Sequence, residues 1–338
     1  MNSHITISAA EIATAGEVSK DNVARFQKAS LGRARWQVLN SFVPYVLLWV
    51  AMVYVLAISY WLMLPLAMLA AGFLVRIFII FHDCGHASFF KSKRANNATG
   101  LIAGLLNLTP YRHWRWQHAL HHGTAGDLDR RGSGDIWTLT VQEYIQSPRR
   151  RRFAYRFVRN PLILFVVAPL YVFVVHHRFA VATAPERERQ SVRRTNWALL
   201  GITLVMSMVI GLKAFVLIQL TVSLFAGATG LWLFYVQHQF EGAYWARSGD
   251  WDYTVVALKG SSFYKLPKIL QWFTGNIGFH HIHHLSPRIP NYHLERCHNA
   301  DPFFRRIKPL TLLASLKTLG FRLWDEQRNL FVGFSDLS

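Results

Sequence analysis

The chain has 338 residues, of which 52% are hydrophobic and only 16% charged; a soluble globule carries about 25% charged residues, so a freely soluble domain is disfavoured. The 37 Lys and Arg against 18 Asp and Glu leave a net charge of +19, but the basic residues flank apolar stretches as the positive-inside bias dictates, and no nucleic-acid motif accompanies them. The two cysteines, Cys84 and Cys297, stand far apart, which argues against a disulfide framework and a cysteine zinc site.

Residues 1–40 are polar and basic and read as a cytoplasmic tail ending in an amphipathic stretch. Glu11 and Glu17 interrupt any signal-peptide pattern, so the first apolar span would direct insertion. Residues 41–75 contain no Asp, Glu, Lys or Arg, and residues 195–240 contain only Lys213. About 20 helical residues cross a hydrocarbon core. Residues 42–81 therefore predict one hairpin of two spans, turning near Ser59 to Pro65. Residues 197–236 predict a second, turning near Gly211-Leu212-Lys213.

Residues 160–175 are apolar but short, carry Pro161 and Pro169, and have arginines on both sides: Arg149 to Arg152, Arg156 and Arg159 before, Arg178, Arg187, Arg189, Arg193 and Arg194 after. Both flanks belong on one side of the membrane, and the stretch reads as re-entrant or interfacial. Residues 98–110 are a still shorter stretch of the same kind. The fold class is all-α integral membrane: four transmembrane helices in two hairpins, with a cytoplasmic histidine-rich cap. Its divisions are a tail over 1–40, a membrane domain over 41–310 and a C-terminal cytoplasmic tail over 311–338. This topology puts residues 82–196 and 237–338 on the side of the N-terminus, so every histidine cluster would share one face.

The sixteen histidines cluster. His82 and His86 stand at i and i+4; His118, His121 and His122 stand at i, i+3 and i+4; His280, His283 and His284 repeat that spacing. On a helix such residues share a face, so each box aims two or three imidazoles at one point. Random placement gives about 0.035 matches to the pattern His-x-x-His-His, so two matches are not an accident. His238, just past the last span, joins them by position. His281 falls outside the pattern and reads as a neighbour of the ligands. His4, His113, His176, His177, His293 and His298 read as ordinary core or interface histidines.

Nine ligands exceed one metal, since zinc takes about four; two metals with open positions fit the count, and imidazole suits iron, zinc, copper and nickel. The His-Glu-x-x-His zinc-protease motif is absent. Glu295 to His298 is a single Glu-x-x-His spacing, whereas soluble di-iron carboxylate proteins pair two. Asp83, Asp127, Asp129, Asp135 and Glu241 are candidates to orient the imidazoles; all but Asp83 read equally well as surface or capping carboxylates. Trp114, Trp116, Trp137 and Trp232 read as interfacial anchors more readily than as the walls of an acyl tunnel. A transporter is disfavoured because the spans are nearly free of ionisable residues. A diheme cytochrome would need histidine pairs within opposed spans.

The boxes resemble those of the membrane fatty acid desaturase and hydroxylase superfamily, closest to acyl-lipid desaturases of the delta-12 and omega-3 types. Three segments carry the resemblance, which covers roughly residues 40–310: His82-Asp-Cys-Gly-His86 with the following Ala-Ser-Phe-Phe, His121 to Gly132, and Asn276 to Asn291. It implies two iron ions held by His82, His86, His118, His121, His122, His238, His280, His283 and His284, with O2 as co-substrate and the acyl chain of a membrane lipid as substrate. The chain has no nucleotide-binding glycine fingerprint, no cysteine cluster and no His-Pro-Gly-Gly heme segment. A separate electron donor, ferredoxin-like, is therefore implied, which the arginine-rich loops would receive. The expected location is a bacterial inner membrane with the site on the cytoplasmic face. A related di-iron hydroxylase or ketolase acting on a carotenoid is the alternative.

Overall fold

The structure, a computed structural model, describes residues 22–132 and 134–337. The expected N-terminal tail falls largely on residues 1–21, outside that range.

Helix α1, Leu31–Ile58, and helix α2, Tyr60–Gly85, form the first hairpin. The turn is the single residue Ser59, whose extended backbone stops one helix and whose hydroxyl accepts the amide N–H of Trp61. Pro65 lies inside α2, in its second turn, where it removes one hydrogen bond of the helical ladder. Helix α2 is the central element, packed on α1, on α3 (Lys93–Leu106) and on α8 (Leu212–His238). Its inward residues, including Ala67, Ala70, Leu74 and Ile77, are buried. Outward residues such as Leu47, Ile58, Trp61 and Met208 are 62%, 76%, 76% and 80% exposed. Large apolar side chains exposed all round a bundle require lipid.

Among the described residues, α1, α2 and α8 are each long and apolar enough to cross a membrane. Helix α7, Glu186–Ile210, pairs with α8 through Gly211, as the second predicted hairpin requires. Its first third is charged and its apolar stretch is confined to residues 197–210, so α7 does not reach the hydropathy of the other three. The fold is all-α and integral to the membrane.

Residues 160–175 do not form a regular span. Helix α6, Arg149–Val158, is followed by a helical run over Ile163–Arg178 bent 59° from it. That run contains two π-helical turns, Ile163–Val167 and Tyr171–Val175, around Pro169, which cannot donate to the helical ladder. Before the run, the buried Arg159 guanidinium donates to Gln239 Oε1 at 2.5 Å and to the Phe321 carbonyl at 2.9 Å. At its end, Arg178 donates to the Leu108 carbonyl and to Asn196. In between, Pro169 and Phe173 pack on Gly227, where a Cβ would lie 2.8 Å from the proline ring. Between these two anchors the run packs onto α8.

All the histidine boxes lie at one end of the bundle. There α4, Tyr111–Thr124, crosses α2 and α3. The Tyr111 ring occupies the space that any side chain on Gly100 would need, and its hydroxyl donates to the Cys84 carbonyl at 2.7 Å. That contact fixes the second box against the first. The stretch 98–110 contributes α3 and the turn after it. Short helices α5 (Val141–Gln146), α9 (Tyr253–Lys259), α10 (Lys268–Phe273), α11 (His280–Leu285) and α12 (Asn291–Ala300) complete the cap. Residues 311–337, read above as a tail, are folded into it. Strand β2, Leu323–Asp325, lies between β1 (Leu139–Thr140, parallel) and β3 (Leu330–Val332, antiparallel). Tyr235, near the end of α8, donates to the carbonyls of Thr318 and Phe321 at 2.7 and 2.8 Å.

Candidate metal centre

The histidine boxes converge, but they are shared between two sites. His82 and His86 from α2 and its end, His118 and His122 from α4, and His283 from α11 form one group. His121 from α4, His238 from the end of α8 and His284 from α11 form another. Within each group one ligand atom per residue lies within 4.8 Å of all the others, so each could hold a metal ion. Helices α4 and α11 each present residues to both sites, whereas His82 and His86 serve only the first. The groups adjoin, with the His122 and His284 rings stacked at 4.2 Å. His280 stands at the edge of the second group, its Nε2 3.1 Å from His238 Nε2.

Hydrogen bonds set the tautomers. His82 Nδ1 lies 3.0 Å from Asp83 Oδ1, and His121 Nδ1 lies 2.7 Å from Asp135 Oδ1. His238 Nδ1 lies 3.3 Å from the Gly260 carbonyl. A carboxylate or carbonyl only accepts, so each of these nitrogens carries the proton and each Nε2 presents a lone pair. His121 Nε2 and His238 Nε2 then face each other at 3.2 Å with no proton between them. In the first group His122 Nε2 lies 3.1 Å from His118 Nε2 and 3.0 Å from His283 Nε2. The lone pairs of His121 and His238, held that close, repel unless a cation lies among them. The buried His86 Nε2 and His284 Nε2 have no hydrogen-bond partner. Burial pushes the pKa of His118, His122, His283 and His284 well below the ordinary imidazole value, and neighbouring imidazoles push the same way. Neutral imidazole is the form that binds metal, so these residues fit the ions the resemblance implies.

Of the five candidate carboxylates, two touch box histidines. Asp83 is buried and its other oxygen accepts the Asn291 backbone N–H at 2.6 Å and side-chain N–H at 2.8 Å. Asp135 is the other. Asp127 is buried but serves the fold, accepting from Arg130, Ser248 and the amides of Asp129 and Arg130. Asp129 pairs with Arg247 and the Ser248 amide on the surface, and Glu241 is exposed. His281 Nε2 lies 3.1 Å from His298 Nδ1, outside both groups. His113 and His177 are buried away from the ligands; His113 Nε2 accepts the Val181 N–H at 3.2 Å.

A cavity of about 510 Å³ runs from His82, His118, His121 and His280 into the bundle between α2, α8 and the bent run. Its inner walls are apolar, formed by Leu74, Phe78, Phe173 and Leu231. Trp114 lines it and stacks on His118 at 4.4 Å. The other three tryptophans belong elsewhere: Trp116 beside His113, Trp137 against Tyr155, and Trp232 donating to the Tyr264 hydroxyl. Asn291, the Gly260 carbonyl and the Tyr253 hydroxyl, which donates to the His284 carbonyl at 2.5 Å, had no periodic signal in sequence.

A fatty acid desaturase family model matches residues 59–309. A fatty acid desaturase of Bacillus subtilis is 47% identical over 312 residues, 92% of this chain and 89% of that protein. Two Arabidopsis thaliana proteins are more distant. The temperature-sensitive sn-2 acyl-lipid omega-3 desaturase (ferredoxin), chloroplastic, is 28% identical over 76% of this chain and 62% of its own length. The acyl-lipid omega-3 desaturase (cytochrome b5), endoplasmic reticulum, is 29% identical over 78% and 69%. With a family match spanning most of its length, a near relative aligned almost end to end and histidine clusters able to hold metal, the chain belongs to the fatty acid desaturase family and is an enzyme of that class.

Proposed function

We propose that the protein desaturates acyl chains of membrane lipids with O2 at two iron ions, one held by His82, His86, His118, His122 and His283, the other by His121, His238, His284 and His280. The observation that carries this reading is the pair of adjoining imidazole groups at the head of an apolar cavity between membrane helices. Removing two hydrogens from an unactivated CH₂–CH₂ unit is beyond acid–base side chains, and iron with O2 would supply the oxidant.

The chain's own residues bind, orient and exclude water. Leu74, Phe78 and Phe173 take an acyl chain in extended contact and keep water from it. Asp83 and Asp135 hold the rings of His82 and His121 with Nε2 toward the centre. Reducing O2 to two waters while taking two hydrogens from the chain needs two more electrons and two protons. We assign the electrons to a separate ferredoxin-like donor docking on the arginine-rich cap. The location that suits such a donor is a bacterial inner membrane with the cap cytoplasmic, since basic residues crowd the cap side of the spans.

The test is a fatty-acid profile, with double-bond positions, of aerobic host membranes expressing the wild type or His121→Ala, together with the iron content of the purified proteins. A new unsaturated acyl species in the wild type alone, with about two irons per chain, is the expected result. A hydroxylated product, or a different metal, would replace this reading.

A further inference from the structure

The two glycines that α8 turns toward the cavity differ in what surrounds them. Ser223, Ala226, Gly227 and Gly230 follow one another at i, i+3, i+4 and i+7, and all four line the cavity. The small size of Gly227 is explained by packing, because Pro169 and Phe173 press against it. Gly230 has no such neighbour: a Cβ built there meets no atom within 4 Å. Its backbone is ordinary helix, not a left-handed conformation, so neither close packing nor backbone geometry calls for glycine. A mid-helix glycine costs about 1 kcal/mol relative to alanine. What the missing side chain does leave is room, on the wall facing Leu74 and Phe78 of α2.

Position along the helix gives that room a meaning. Gly230 lies eight residues before His238, about 12 Å along the axis at 1.5 Å per residue. Ser223 lies two turns deeper. An acyl chain presented to the histidine cluster and running inward must pass Gly230 before it reaches Ser223. We propose that Gly230 is a specificity-determining residue, leaving open the inner part of the cavity so that long acyl chains can extend past it. The inference rests on the desaturase reading above and specifies its substrate: chains long enough to fill the cavity beyond this point.

The test is the series Gly230→Ala, Gly230→Leu and Gly230→Phe, with Gly201→Leu as control. Gly201 is also a helical glycine with open space at its Cβ, but it is exposed on α7 and does not line the cavity. Membranes supplied with saturated and monounsaturated chains of several lengths are profiled for new double bonds, and iron content is measured on each purified variant. Hydrophobic pockets discriminate by roughly 10- to 200-fold per misfit group. Leu and Phe should therefore lower the ratio of long-chain to short-chain product at least about tenfold, Ala much less. Iron content and the Gly201→Leu profile should match the wild type. An unchanged chain-length distribution in Gly230→Phe would overturn the proposal, as would an equal loss at all lengths with iron retained. A wild type that makes no unsaturated product would instead remove the desaturase reading itself.

Discussion

Asp135 Oδ1 lies 2.7 Å from His121 Nδ1, and its second oxygen accepts the Gly132 amide, so one carboxylate ties an imidazole of the second metal group to a glycine-rich loop. The bond fixes which ring nitrogen faces His238. Removing such a partner typically costs 10- to 100-fold in metal affinity or activity. Asp135→Ala should lose activity in about that range and lower the iron content of the second site. Asp135→Asn, which can still accept from Nδ1, should fall between. Wild-type turnover and iron in Asp135→Ala would show that His121 is oriented by other means.

The third box contains a contrast two residues apart. His283 belongs to the first group, whereas His281 faces His298. His283→Ala and His121→Ala should abolish desaturation while the protein stays inserted in the membrane. His281→Ala should keep its iron and much of its activity, at a stability cost of about 1–3 kcal/mol for leaving His298 without its partner. Metal analysis of the purified variants separates the two classes; iron loss in His281→Ala would place that residue among the ligands.

The hairpins and boxes were legible because each has a period. Charge-free stretches report spans, and the i, i+3, i+4 spacing reports a shared helix face. The sequence also required all the boxes at one end of the bundle, which the geometry delivers. Spacing could not reveal that the second and third boxes divide between two sites, because that depends on how α2, α4, α8 and α11 cross. Nor could it sort the carboxylates: Asp127 and Asp135 lie in one loop, yet only Asp135 touches a box histidine. The bent run after Arg159 was marked by Pro161 and Pro169, but its seat on Gly227 is a tertiary contact with no sequence period. The folded segment 311–337 escaped notice because strands of three residues carry no pattern.

Asp127 gives a prediction about stability. Burial alone would raise its pKa, but the Arg130 guanidinium, the Asp129 amide and the Ser248 hydroxyl outweigh it and hold the carboxyl below its ordinary value. A group whose folded pKa is depressed stabilises the fold above its unfolded pKa and loses that contribution as pH falls through the folded value. Asp127→Asn should therefore destabilise the protein by about 1–3 kcal/mol at neutral pH. The deficit should narrow below about pH 4, where the unfolded carboxyl titrates. Thermal unfolding in detergent across that range is the check; a deficit that does not change with pH would assign the cost to lost shape rather than charge.

The arginine-rich cap leads to a prediction about the electron donor. On α6, Arg149, Arg150, Arg151 and Arg156 are exposed, and none of them pairs with a carboxylate among the described residues. An acidic donor would be steered to such a surface, and screening weakens steering: the Debye length falls from about 10 Å at 0.1 M salt to about 3 Å at 1 M. Turnover with a reduced ferredoxin should therefore slow as salt rises, through a higher KM for the donor with kcat little changed. Replacing Arg149, Arg150 and Arg151 with glutamate should raise that KM further and flatten the salt dependence. None of the three belongs to either histidine group or lines the cavity, so iron content should not change. A salt-insensitive rate would move the docking site off the arginines, and a faster rate with a cytochrome b5-type donor would change the partner while keeping the surface.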